Sequence, residues 1–408
     1  MTENPRHTTD VAHADHELTI DAPTRSRRDE PIEIRLTGLD PGESVTLEAT
    51  TTGREGHEWR SSATFTADEA GVVDLSERAP EAGSYDAVAP MGWCWSMQGP
   101  EDQPVSNLMV AGPMEVSFRA QAGDRTAERT ITRHAGEGVE RTEVNTDGVV
   151  GTIFEPADDG PHPGVVVLHG SGGISTALTA SLLADRGFAA FSLRYIGEHD
   201  ALPEEIGRVP ISYFDDAARW FGARDGVRGD RIGLLGHSRG AEIALALGAR
   251  YDWVGAVVSY AGSGVLWNTP DEAPAWVDED GEPLPYVPGK GKPTLLEGQL
   301  DEADAATREA ATPAVEAIEG PILLITGEKD PIWPASRTAE RVIDRLDGAD
   351  HPYPYEHRRY EGASHFITPP YLPKNHHVFG GEPVHIARAD ADAWPRAIDC
   401  LTTGLDEA

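Results

Sequence analysis

Gly236-His237-Ser238-Arg239-Gly240 sets a serine between two glycines at a spacing that can make a nucleophile. Arg231 to Leu235 before it reads as a short buried strand, and Ala241 to Leu247 after it reads as a helix. Strand, sharp turn and helix would hold the Ser238 hydroxyl at the tip of the turn. Gly236 and Gly240 are then small because the backbone packs closely there. The helix N-terminus would bring free N–H groups and a dipole that favour developing negative charge. An ordinary strand-to-helix turn capped by Ser238 shares the pentapeptide, so the decision rests on the partners such a serine needs.

A serine hydroxyl is a poor nucleophile at neutral pH without a base in hydrogen-bond reach, and the base needs a group that fixes its tautomer and supports its charge. His365 fits the base, just beyond the stretch Tyr353 to Tyr360, which reads as a final strand. Asp330 fits the acid, in the turn Gly327-Glu328-Lys329-Asp330-Pro331 after an apolar run; a plain turn aspartate before proline is the competing reading, and Glu328 is a lesser substitute. Among other histidines, His376 and His377 lie too far into the next loop, His237 adjoins the serine and cannot fold back onto it, and His169 reads as structural or pocket-lining. A tetrahedral intermediate also needs two backbone donors for its oxygen. Arg239 supplies one N–H; the loop His169-Gly170-Ser171-Gly172-Gly173 supplies the other, with Ser171 the first choice and Gly172 the next. No Lys-Ser or Lys-Thr follows that loop, which argues against a phosphate cradle.

The elements that must position these groups show two rhythms. From about His16 to Arg133 short period-2 segments such as Ser44 to Ala49, Ser62 to Thr66 and Glu115 to Arg119 alternate with Gly, Pro and Asp turns, which predicts an all-β sandwich. His134 to Gly138 reads as the linker. Beyond it, Gly164 to Leu168, Phe188 to Leu193, Val254 to Ser259 and Pro321 to Thr326 are continuous apolar runs, expected of strands covered on both faces. Helical patterns near 211–223, 336–347 and 387–402 lie between or after them, so the expectation is a mostly parallel sheet with helices on both faces. Serine, acid and histidine in that chain order, on loops beyond the strand C-termini, are the arrangement of an α/β-hydrolase domain. The expected organisation is a disordered tail over 1–14, a β-sandwich over 15–136 and the catalytic domain over 137–408.

The 408 residues carry 69 acidic and 34 basic side chains, a formal charge of −35. Such self-repulsion destabilises a compact chain in dilute buffer and is screened at high salt, so a protein of a high-salt interior is expected. The same charge argues against DNA or RNA as a partner. No long apolar run predicts a membrane span, and neither Met1 to His7 nor Gly404 to Ala408 shows a targeting pattern; the expected location is the cytoplasm. Cys94 and Cys400 make no disulfide framework or zinc site, and Cys94 between Trp93 and Trp95 reads as a buried small residue. Neither a metal nor an organic cofactor is implied.

Both halves resemble the acyl-CoA thioesterase and bile acid-CoA:amino acid N-acyltransferase family. The first half does so through Trp59 to Asp68, Val73-Asp74-Leu75, Gly83-Ser84-Tyr85 and Pro90-Met91-Gly92-Trp93 with Trp95-Ser96-Met97. The second does so through Gly240-Ala241-Glu242, His365 to Pro373, Gly380-Gly381-Glu382-Pro383 and Asp392-Ala393-Trp394. The resemblance implies an immunoglobulin-like first domain, an α/β-hydrolase second domain, an acyl-CoA substrate, and an acyl-enzyme mechanism carried by Ser238, Asp330 and His365. Serine where the amidating transferases usually carry cysteine resembles the thioesterase branch, whereas Arg239 stands where lysine is usual. Segment 262–318 looks divergent and is expected to cover the site, and His357-Arg358-Arg359 is a candidate basic patch for the CoA phosphates. Acyl transfer to an amine, hydrolysis of oxygen esters, and a non-catalytic binding scaffold are the competing functions.

Overall fold

The computed structural model describes residues 17–100, 104–146, 148–197, 199–290, 296–374 and 380–406; the tail expected over 1–14 and the histidines His376 and His377 lie outside the described residues.

The second half is built on an eight-stranded sheet. Its strands are β1 (Val139–Thr146), β2 (Val149–Pro156), β3 (His162–Leu168), β4 (Ala189–Arg194), β5 (Val227–His237), β6 (Val254–Tyr260), β7 (Ile322–Gly327) and β8 (Tyr355–Tyr360). Their spatial order is β1-β2-β4-β3-β5-β6-β7-β8. The first two pairings, β1 with β2 and β2 with β4, are antiparallel; from β4 to β8 every pairing is parallel. Alternation inside the apolar runs sorts side chains between two cores. Val165, Val167, Ala190, Leu235, Val258 and Ile325 face helices α1 (Ala177–Ala184) and, at the chain's end, Pro383–Asp406. Val166, Leu168, Phe191, Leu234, Val257 and Leu324 face α2 (Ile211–Gly222), α3 (Arg239–Arg250) and Ala335–Gly348. Period-2 burial on both faces is why these strands read as unbroken hydrophobic runs. Each fully buried Leu, Ile, Val or Phe contributes roughly 1.5–3 kcal/mol against exposure.

The hairpin β1–β2 precedes the first strand legible in the sequence. Most of β1 is exposed, with Val144 its buried side chain, so this edge strand carries no apolar alternation to read.

The first half forms two sheets. One runs Arg25–Arg27, Arg125–His134, Met114–Ala122, Ser44–Thr52, Glu58–Thr66, Ala82–Gly83; the other runs Thr19–Asp21, Arg35–Thr37, Val73–Asp74. Along Ser44–Thr52, Val45, Leu47, Ala49 and Thr51 point inward, the alternation of a half-buried strand. The half is not purely β: Gly92–Trp95 is a short helix and Val105–Leu108 a 3₁₀ turn. All four residues of that helix are buried, so no periodic pattern marks it.

The two halves share one continuous core, in which Trp93 and Phe118 belong with Val165, Ile386 and Trp394. Asp29, with a fully buried side chain, accepts from Arg186 at 2.7 Å and from the Trp394 indole at 2.8 Å. Cys94 donates its thiol to the Tyr371 carbonyl at 2.9 Å, and Lys374 N–H donates to the Trp95 carbonyl at 2.8 Å. Burial pushes the Cys94 thiol up to about 11, which suits the structural part expected of it. Among the described residues no helix is long and apolar enough to cross a membrane.

Candidate active site

Ser238 stands between the end of β5 and the start of α3, with φ 56° and ψ −117°. An added Cβ on Gly236 would come within 2.2 Å of the Gly240 carbonyl oxygen, and one on Gly240 within 2.3 Å of the Leu168 carbonyl oxygen. The two glycines are therefore steric necessities of a turn folded this tightly. Ser238 does not cap the helix through its side chain. Its Oγ instead lies 3.0 Å from Nε2 of His365, whose Nδ1 lies 2.7 Å from Oδ2 of Asp330. All three come from the C-terminal edge of the sheet, beyond β5, β7 and β8.

The acid is held by its own turn: Asp330 Oδ1 accepts the main-chain N–H groups of Ile332 at 2.8 Å and Trp333 at 3.1 Å. Glu328 turns away and pairs with Arg359 at 2.7 Å. The imidazole of His237 donates through Nε2 to the His365 carbonyl at 3.1 Å, steadying the backbone of the base. Burial, then the neighbouring His365, holds His237 down at about 3. His169 stacks on Tyr195 at 4.0 Å, hydrogen-bonds the Gly170 carbonyl through Nδ1 at 2.7 Å, and is held down at about 4 by burial; it is structural.

Two backbone segments lie beside the serine. Arg239 is the first residue of α3, so its N–H lacks an intrahelical partner by helix geometry. The loop after β3 passes so near that a Cβ on Gly170 would lie 3.2 Å from Ser238 Cβ, and Ser171 and Gly172 line a cavity of about 530 Å³.

Family models match both halves: the acyl-CoA thioester hydrolase/BAAT N-terminal region over residues 29–146, and the BAAT/acyl-CoA thioester hydrolase C-terminal region over 209–407. Acyl-coenzyme A thioesterase 1 of Mus musculus is 32% identical over 92% of this chain and 94% of its own length. The peroxisomal succinyl-coenzyme A thioesterase of Mus musculus is 30% identical over 93% and 95%. The mitochondrial acyl-coenzyme A thioesterase 2 of Homo sapiens is 31% identical over 92% and 82%. The chain belongs to the acyl-CoA thioesterase/bile acid-CoA:amino acid N-acyltransferase family. Among solved structures, a dienelactone hydrolase-like promiscuous phosphotriesterase from metagenomic libraries aligns with 66% of this chain and 99% of its own, at TM-score 0.44 and 18% identity.

In this member of the family, segment 262–318 contributes part of the wall of the cavity that Ser171 and Gly172 line. Trp267, Asn268, Thr269, Pro270, Asp271, Gly289, Lys290 and Leu296 line the cavity, opposite Ile196, Ile206, Ile332 and Trp333. The Arg239 side chain fastens the segment at Trp267 and Asn268. Its guanidinium pairs with buried Glu242 at 2.9 Å, donates to the carbonyls of Trp267 at 2.8 Å and Asn268 at 2.5 Å, and lies 4.8 Å from the Trp333 ring. Burial raises the Glu242 carboxyl, and the Arg239 charge opposes that rise; the Trp276 indole also donates to it at 2.8 Å. Arginine's planar fork can serve two carbonyls and a carboxylate together, which a lysine ammonium does less well. The sequence signal for this clamp was Arg239 and Glu242 one helical turn apart.

The basic patch expected at His357-Arg358-Arg359 does not form. Arg358 pairs with Glu356 at 2.7 Å, Arg359 pairs with Glu328 and Glu340, and His357 bonds Thr326 at 2.8 Å. Glu356 on β8 itself and Glu328 and Glu340 on neighbouring segments neutralise these arginines, and none of the three lines the cavity. The cavity wall carries Lys290 and Arg239 with Glu204, Glu205 and Asp271. Trp333 went unread in the sequence, since a single tryptophan after a turn carries no periodic signal.

Proposed function

We propose that the protein hydrolyses acyl-CoA thioesters by a Ser238–His365–Asp330 acyl-enzyme mechanism. The observation that carries this reading is the imidazole of His365 bridging the Ser238 hydroxyl and the Asp330 carboxylate at 3.0 and 2.7 Å. Ser238 Oγ passes its proton to His365 Nε2 and bonds the acyl carbon. The oxyanion is held by the N–H groups of Arg239 and Ser171. The carbon–sulfur bond breaks, and the departing sulfur of CoA takes the proton from His365. Water then attacks the acyl-serine with His365 as base, and Oγ recovers its proton. Asp330 holds the Nδ1–H tautomer and supports the imidazolium. Relatives named as acyl-CoA thioesterases support the substrate class. The acidic cavity wall opposes the anionic CoA, a conflict that high salt screens.

The same proposal takes residues 15–136 as an immunoglobulin-like unit and 137–408 as the catalytic one, in the cytoplasm of a high-salt cell. The test is incubation in high salt with a panel of acyl-CoA esters, with mass spectrometry of the Ser238 peptide. An acyl adduct on Ser238, and loss of turnover in Ser238→Ala, are expected. A Ser238→Ala variant as fast as the parent removes serine catalysis. Acyl-amino acids formed on adding glycine or taurine would convert the reading to amine transfer, and faster turnover of matched oxygen esters to an esterase.

A further inference from the structure

The Ser238 hydroxyl has a second partner besides the base. The indole Nε1 of Trp333 lies 3.2 Å from Oγ. The main-chain N–H of the same residue donates to Asp330 Oδ1 at 3.1 Å. Its ring is buried, with the Arg239 guanidinium 4.8 Å from its centre and the Trp267 ring 6.0 Å away. One residue thus touches Ser238, Asp330 and Arg239.

A hydroxyl carries one donor and two acceptor positions. With the Ser238 O–H donating to His365 Nε2 and the Trp333 N–H filling one lone pair, a single lone pair of the hydroxyl is left for the acyl carbon. The indole is a donor only, so it cannot compete for that proton.

We propose that Trp333 is a further catalytic residue, whose indole N–H holds Ser238 Oγ through both acyl-transfer steps; this rests on the serine-nucleophile reading above. As the proton leaves for His365, negative charge grows on Oγ and the N–H bond to it strengthens. In deacylation the water oxygen bonds the acyl carbon and the carbon–Oγ bond breaks. Oγ leaves toward the same N–H and takes its proton from His365. Trp333 gives up no proton in either step.

The test removes the N–H and keeps an aromatic side chain. Trp333→Phe, and a protein carrying 3-benzothienylalanine at position 333 (sulfur in place of N–H, shape kept), are compared with the parent. The readouts are the rate of Ser238 labelling by a fluorophosphonate and the kcat and KM on acyl-CoA. Labelling and kcat about tenfold slower, with KM and melting temperature close to the parent's, are expected. The benzothienyl protein keeps the test decisive if Trp333→Phe misfolds. Labelling of that protein at the parental rate overturns the proposal. A parent that resists the probe overturns it together with the serine reading. Slower labelling of both variants in a protein that leaves every acyl-CoA intact supports the Trp333 assignment and removes the thioester reading.

Discussion

Ser238 holds its hydroxyl outward at a backbone cost, because φ 56° with ψ −117° is a region that favours glycine. Ser238→Ala and Ser238→Gly both lose the hydroxyl and its two hydrogen bonds, but only glycine relieves the backbone. Ser238→Gly is therefore expected to be about 1 kcal/mol more stable than Ser238→Ala, after subtracting glycine's greater unfolded-state entropy. Urea titrations of the two proteins check this, and a glycine variant less stable than the alanine one would show an unstrained turn. The histidine beside the serine ties stability to pH. An unfolded His237 takes its proton near 6.5, and the folded one resists down to about 3. Between those values the unfolded state binds the extra proton, so stability falls as pH falls. This contribution is complete above 6.5, and is lost at about 1.4 kcal/mol per pH unit toward 3. His169, held down at about 4, acts in the same direction. Denaturant midpoints from pH 7 downward should fall less steeply in His237→Gln; parallel curves would place the titration elsewhere.

The element that carries the base is braced by the other half of the chain. Lys374, in the loop beyond His365, donates its N–H to the Trp95 carbonyl and its buried ammonium to Asp390 at 2.5 Å. The Asp390 carboxyl is raised to about 6, chiefly by burial and against the pull of Lys374. On the helix Pro383–Asp406, Trp394 reaches across to Asp29 at 2.8 Å. Trp394→Phe leaves the buried carboxylate one donor short and puts a smaller ring in the core. A loss of about 1.5–3 kcal/mol of stability is expected for this hydrogen bond to a charged group. Chemical denaturation measures it, and an unchanged midpoint would mean that Arg186 and Arg27 satisfy Asp29 without the indole.

At the scale of the whole molecule the excess of acid dominates. With a net charge of −35, many arginines are already committed to carboxylates, as in Arg345 with Glu309 and Glu316 or Arg337 with Glu297 and Asp301. Exposed pairs of this kind contribute little each, whereas the uncompensated charge repels across the entire surface. Thermal midpoints should rise from about 0.1 M to about 2 M potassium chloride, as the screening length contracts below the spacing of surface charges. A midpoint insensitive to salt would remove the high-salt expectation.

Much of the site could be read from the chain alone. The glycines of the elbow are dictated by local sterics, and the buried strands announce themselves because both their faces must be apolar. Ser238, Asp330 and His365 stand in chain order on turns that follow strands, so they could be named before any coordinates. Convergence was another matter. Whether three side chains so far apart meet depends on strand order and register, which local periodicity does not encode. The same limit hid the pairing of Arg359 with Glu328 and Glu340 and the contact of Trp333 with Ser238. Each of these is decided by a neighbour distant in sequence, and only the folded sheet brings that neighbour within hydrogen-bond reach.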